Sequence, residues 1–273
     1  MMETELASHV EVMLSCAGNR MIIELWQVAL LFATGLVAGF VDSIAGGGGL
    51  ITLPVLLSLG IDPKLALGTN KLQATFGSGS AAFHYARAKA VNVHECRRGF
   101  ALTFAGAMLG SLLLLQFDPN LLKRLIPILL VVVAGYMLFR PAFGVTDRPP
   151  RMSGLRFDVL FGLGIGFYDG FLGPGTGTFF AMAFAIWLGF NLTKATAHTK
   201  VLNFASNLAS LAVFLCTKHV WFAAGLTMGV GQWLGARAGS KMVVQRGTKF
   251  IRPIFITVVL AITARLIYTA YWK

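Results

Sequence analysis

Two aspartates, Asp42 and Asp169, and two lysines, Lys71 and Lys200, stand inside apolar stretches of this 273-residue chain. The aspartates are 127 residues apart and the lysines 129, so each type recurs at nearly one spacing. An ionisable group at the centre of a bilayer costs about 2.5–3.5 kcal/mol even on insertion scales, which makes such residues functional candidates by default. Asp42 ends Gly39-Phe40-Val41-Asp42 shortly before Gly46-Gly47-Gly48-Gly49. Asp169 ends Gly166-Phe167-Tyr168-Asp169 shortly before Gly173-Pro174-Gly175-Thr176-Gly177. Two kinds of role are open to these carboxylates: coupling protons or holding a lysine, and capping or pairing that merely fixes the fold.

Lys71 follows Thr69 and Asn70 and precedes Gln73, while Lys200 follows His198 and Thr199 and precedes Asn203 and Asn207. Two related lysines near the midplane supply a small anion with charge partners, and the amides and hydroxyls beside them supply hydrogen bonds. The competing role is that of lysines snorkelling at an interface. Each lysine follows a segment too short to span, which leaves it deeper than that. The glycine runs unwind the backbone and free amides at Gly47, Gly48, Gly175 and Thr176 for an anion. No Gly-Lys-Ser/Thr follows them, so they are not a nucleotide loop. Gly106/Gly110 and Gly231/Gly235 fit helix packing through small residues. His198 has no counterpart, Thr69 standing in its place, and is either a helix-end hydrogen bonder or a proton relay.

The expected substrate shell is thus Lys71, Lys200, Thr69, Asn70, Gln73, His198, Thr199, Asn203, Gly47, Gly48, Gly175 and Thr176, with Asp42 and Asp169 coupling or structural. Catalytic residues, metal ligands and cofactors are not expected. Ser80 and His84 have hydrolase-like spacing but no equivalent in the second half, and His84, His94 and His219 have no ligand spacing. Cys16, Cys96 and Cys216 read as solitary thiols.

Elements that position these groups must cross a membrane, because 56% hydrophobic and only 12% charged residues cannot cover a globule with a polar surface. The net charge of +12 sits in short gaps between apolar runs, which excludes a nucleic-acid partner and leaves the bilayer. Apolar windows fall at about 22–45, 50–60, 65–86, 99–116 and 121–139, then at about 156–172, 177–190, 195–217, 219–236 and 250–271. The second of each five is too short to span. The reading is an all-α polytopic membrane protein: a disordered extension (1–21), repeat 1 (22–140), a cytoplasmic linker (141–155) and repeat 2 (156–273). Basic gaps after the third segment, in the linker and after the ninth share one side only if each half crosses an odd number of times. That predicts inverted-topology repeats of about five segments, two of them short or re-entrant, and both termini periplasmic.

The run Ala38 to Leu50, Gly68-Thr69-Asn70-Lys71-Leu72-Gln73-Ala74, Gly166 to Gly170 and Lys194 to Lys200 resembles the TauE/SafE family of membrane transporters. The resemblance covers almost the whole chain from about residue 22. It implies a bacterial inner-membrane permease for sulfite, sulfonates and related organosulfur anions. Members are usually drawn with seven to nine spans, against the ten segments read here. A membrane potential, inside negative, drives an anion outward by roughly 2.3 kcal/mol per charge per 100 mV, so export of a small sulfur oxyanion by alternating access is the favoured function. A non-transporting membrane subunit and an intramembrane enzyme are the alternatives. Protons are the candidate coupling ion; the sequence sets no oligomeric state.

Overall fold

The computed structural model describes residues 24–122, 124–126, 128, 132 and 146–247. The N-terminal extension, most of the fifth apolar window, the start of the linker and the tenth window lie outside them. Among the described residues there are helices and no strands. They are α1 (Leu25–Ala45), α2 (Gly48–Ser58), α3 (Pro63–Arg87) and α4 (Arg97–Leu115) in the first half. The second half has α5 (Gly154–Phe157), continuous through a π-helical stretch (Asp158–Leu163) with α6 (Gly164–Phe171), then α7 (Thr176–Trp187), α8 (Leu192–Cys216) and α9 (Phe222–Arg246).

By length and composition α1, α4 and α8 can cross a membrane. Helices α3 and α9, with 25 residues each, reach about 37 Å at 1.5 Å per residue, beyond the hydrocarbon thickness of about 30 Å. Their polar residues are what lowers their hydropathy. Helices α2 and α7 have 11 and 12 residues and cannot span, as the sequence indicated.

The start and stop signals repeat between halves. Asp62 caps α3 by accepting from the Lys64 amide, with Pro63 at the first helical position, and Asn191 caps α8 by accepting from the Lys194 amide. Just past α3 and α8, Lys89 and Lys218 take left-handed φ values of 56° and 57°. The next amides turn back onto Tyr85 and Phe214, closing both helices in the same way. Lys89-Ala90-Val91 and Lys218-His219-Val220, 129 residues apart like the two buried lysines, thus mark a shared helix stop.

Packing interlocks the halves. Helix α9 packs chiefly on α1 and α3, and α4 packs chiefly on the α5–α6 rod and on α8, so each half's fourth helix lies against the other half's first and third. The close approaches also give helix directions. Gly35 meets Met228, Gly39 meets Gln232, and Gly235 meets Leu36 and Phe40, so α1 and α9 run parallel. Gly68 meets His219, Gly225 meets Leu72 and Gly229 meets Phe76, so α3 runs the same way. Gly106 meets Leu163 and Phe167, and Gly110 meets Phe167 and Phe171, which makes α4 parallel to the α5–α6 rod. Helices α3 and α8 cross where Asn207 meets Ser78 and Phe204 meets Gly79.

Small residues permit these approaches, as expected for Gly106/Gly110 and Gly231/Gly235. A β-carbon at Gly166 of α6 would lie 2.6 Å from the Thr103 carbonyl oxygen, whereas one at Gly164, half a turn earlier, would meet nothing. Gly166→Ala is therefore expected to destabilise by about 1–3 kcal/mol. Gly164→Ala is expected to be neutral or to stabilise by up to about 1 kcal/mol. Thermal unfolding of the purified protein in detergent checks the pair; equal melting points would contradict the packing.

Candidate functional site

The two helix breaks carry the site. Gly46 and Gly47 both have positive φ, 77° and 93°, and Gly173 and Gly175 have 88° and 78°. Side-chained residues rarely adopt such angles, which is why glycine stands there. The breaks touch: the Gly46 and Gly177 backbones are in contact, and the Thr178 hydroxyl donates to the Ala45 carbonyl at 3.1 Å. Each break starts a half-helix whose first turn has amides without intrahelical acceptors.

One of those amides, Gly48 N–H, donates to Asp42 Oδ1 at 3.1 Å, so this carboxylate does cap the broken helix. Its other oxygen, Oδ2, accepts from Lys200 Nζ at 2.8 Å. Asp169 takes Lys71 Nζ on Oδ1 at 2.6 Å and on its own carbonyl at 2.5 Å, and its Oδ2 accepts from the Ser206 hydroxyl. The two roles left open for the aspartates are thus combined at Asp42. Both pairs cross between halves, and the lysines are buried, with side chains 2% and 0% exposed.

Lys71, Asp169 and Asp42 line a polar cavity of about 30 Å³, room for about one or two waters. Gly47, Gly48, Gly49, Gly175, Thr176 and Gly177 bring the first turns of α2 and α7 to its wall. Asn70, Asn203, Asn207 and Gln232 add amides. Asn203 Oδ1 and Gln232 Oε1 are buried without a hydrogen-bond partner. Donor-rich helix ends beside the Lys71 ammonium can hold an oxyanion. With each ammonium already on a carboxylate, the paired side chains carry no net charge.

Of the residues singled out in the sequence, Lys71, Asn70, Asn203, Gly47, Gly48, Gly175, Thr176, Asp42 and Asp169 line this cavity, whereas Lys200 does not line it and reaches it only through Asp42. Thr69, Gln73, His198 and Thr199 do not line the cavity. The Thr69 hydroxyl accepts the Trp221 amide at 2.9 Å, tying α3 to α9. Gln73 donates to Asn70 Oδ1 at 2.8 Å, and the Thr52 hydroxyl donates to the same oxygen at 2.5 Å, so Gln73 braces Asn70 from behind. His198 holds the Lys194 carbonyl at 2.8 Å and sits against Phe184 and Phe190, as a helix-end hydrogen bonder would. Ser80 donates to the Trp233 carbonyl at 3.0 Å rather than to His84. Cys96 is buried, and burial first, then Glu95 and Asp158, pushes its thiol up to about 12.

Ser206 and Gln232 are site residues the sequence reading passed over. Ser206 is one small hydroxyl among many, and no single-residue signal marks it. Gln232 carried a usable signal: an amide next to Gly231 on the small-residue face of a membrane helix, where only apolar neighbours are needed.

The profile of the sulfite exporter TauE/SafE family matches residues 31–266. The probable membrane transporter protein YfcA of Escherichia coli K12 is 45% identical over 244 residues, covering 89% of this chain and 91% of that protein. A probable membrane transporter protein of Haemophilus influenzae is 45% identical, covering 90% and 96% of the two chains. YunE of Bacillus subtilis, also named a probable membrane transporter protein, is 25% identical and covers 88% and 97%. No solved structure is significantly similar. With its family profile matched across both halves and relatives this similar over nearly their full lengths, the chain belongs to the TauE/SafE family of membrane transporters.

Proposed function

We propose that this protein exports a small sulfur-containing oxyanion, such as sulfite or a simple sulfonate, across the bacterial inner membrane by alternating access. The observation that carries the reading is the convergence of two half-helix N-termini, Lys71 and the side-chain amides of Asn70, Asn203, Asn207 and Gln232 on one small polar cavity, with Lys200 held just behind Asp42. Helix N-termini favour anions through their free amides and aligned dipoles. The relatives' names supply the class, transporter, and the family's name supplies sulfite. Transport rather than catalysis is the reading the family and the relatives' names support.

Inverted repeats are supported by helix direction. Contacts of Phe204 with Gly79 and of Asn207 with Ser78, combined with the 129-residue equivalence of α3 and α8, fit two helices crossing in opposite senses. In that arrangement α1, α3 and α9 run one way and α4, α6 and α8 the other. The basic gaps after α3 and α9 then share a side with the linker, whose Arg148 and Arg151 amides bond to the Gly189 and Trp187 carbonyls at the end of α7. The positive-inside rule makes that side cytoplasmic and the start of α1 periplasmic.

Interlocked packing indicates which parts move: the bundle α1, α3 and α9 rocks against the bundle α4, α6 and α8. Both ion pairs bridge these bundles. An anion reaches a lysine only when that lysine leaves its carboxylate. Substrate binding, pair opening and bundle motion are then one event.

Proteoliposomes with radiolabelled sulfite or methanesulfonate test the reading. The protein is expected to carry both, and the Lys71→Ala, Lys200→Ala double variant to fall to the liposome background; retained flux in a folded variant would remove the lysines from the site. Lys200→Ala alone strands Asp42 and is expected to cost about 3–5 kcal/mol. Removing both charges, in Asp42→Asn with Lys200→Gln, is expected to recover most of that stability but no flux.

A C-terminal alkaline phosphatase fusion is expected to be active outside the cytoplasm, and activity of a reporter confined to the cytoplasm would rule out the topology.

A further inference from the structure

A second and wider crevice, about 670 Å³, opens between α3, α8 and α9. Phe76, Phe83, Phe204 and Trp233 line it, and Arg87 and Arg237 stand at one end. The order along the helices is that of a membrane surface. Arg87 is the last residue of α3, Phe83 is one turn deeper, and Phe76 about three turns deeper. On α9 the Ser80 contact fixes the level of Trp233, and Arg237 follows one turn toward the same end, its guanidinium 5.9 Å over the Trp233 ring.

Charge in the crevice is uncompensated. Arg87, Arg237 and Lys241 all bear electrostatically on His84, whose buried Nδ1 has no hydrogen-bond partner. Among the described residues no carboxylate is within ion-pair distance of the three cations. The remaining groups packed around His84 on α3, α8 and α9, namely Ser80, Thr75 and the aromatic rings, are neutral.

The fold does not require these cations. At the matching positions of the other half, Phe83, His84 and Arg87 are replaced by Ala212, Val213 and Cys216, and Trp233, Arg237 and Lys241 by Met108, Leu112 and Gln116. The two copies of one helix arrangement therefore differ at these positions: one carries uncharged residues, the other aromatic rings with basic side chains above them. Exposed basic side chains at a membrane surface above an aromatic trough match an anionic phospholipid, its phosphate among the arginines and its chains against the rings.

We propose that the α3–α8–α9 crevice is a binding site for an anionic phospholipid of the leaflet on the Arg87 side. Arg87, Arg237 and Lys241 hold the headgroup phosphate, His84 Nδ1 adds a hydrogen bond, and Phe76, Phe83, Phe204 and Trp233 carry the first methylenes. The site is independent of the oxyanion cavity: the transport reading can fail while this one stands.

Native mass spectrometry of the detergent-purified protein, titrated with phosphatidylglycerol or phosphatidylcholine of the same chains, tests it. Phosphatidylglycerol is expected to bind more tightly to the unaltered protein. Each basic side chain at such a surface contributes about a fivefold factor, so Arg87→Ala with Arg237→Ala is expected to weaken phosphatidylglycerol about 25-fold and leave phosphatidylcholine unchanged. The linker variant Arg148→Ala with Arg151→Ala, equal in charge removed, is expected to keep the preference. Equal affinities for the two lipids, a preference that survives in the crevice variant, or an equal loss in the linker variant would each overturn the assignment.

Discussion

Everything at the centre of this molecule depends on two buried ion pairs that cross from one half to the other. A lone buried charge is expensive enough that it either neutralises or finds a partner. Lys71 would be stranded without Asp169, and Lys200 without Asp42. Because each lysine belongs to one repeat and its carboxylate to the other, neither half can satisfy its own charge. The pairs thus specify how the halves meet, and the interlocked packing of α4 and α9 on opposite partners is the apolar counterpart of the same exchange.

The glycine breaks make those pairs possible in a helical membrane protein. A continuous helix uses its own amides and gives none to a neighbour; a break with positive φ at Gly46, Gly47, Gly173 and Gly175 releases them in the middle of the fold. Asp42 uses one released amide and turns its second oxygen to Lys200. The break, the cap and the ion pair are therefore a single structural unit, made once with Asp42. Asp169 departs from it: the carboxylate turns to Ser206 and Lys71, and the break is braced instead by the Tyr168 hydroxyl on the Pro174 carbonyl at 2.7 Å.

Much of this was legible in the sequence, because a charge or a glycine run in lipid is costly and the cost is visible in residue type. The aspartate and lysine pairs, the short α2 and α7 and the small-residue packing faces all announced themselves in this way. Sequence did not reveal which partner each lysine takes, since pairing across halves depends on three-dimensional packing and not on spacing. Proximity to Lys200 along the chain also drew His198 and Thr199 into the expected shell. Residues two places or one place before a lysine on a helix face elsewhere, and His198 belongs to the aromatic cluster with Phe184 and Phe190.

The frame is twofold but its lining is not. Asn203, Asn207 and Gln232 stand opposite Ala74, Ser78 and Ala107 in the repeat, so the amides crowd onto the second half's elements while the charged pairs remain duplicated. Duplicated charges hold the frame, and altering one member strands another. Neutral amides pair with nothing essential, and Asn203 and Gln232 keep acceptors free. They are the lining positions that can be changed without disturbing the charges that hold the halves together.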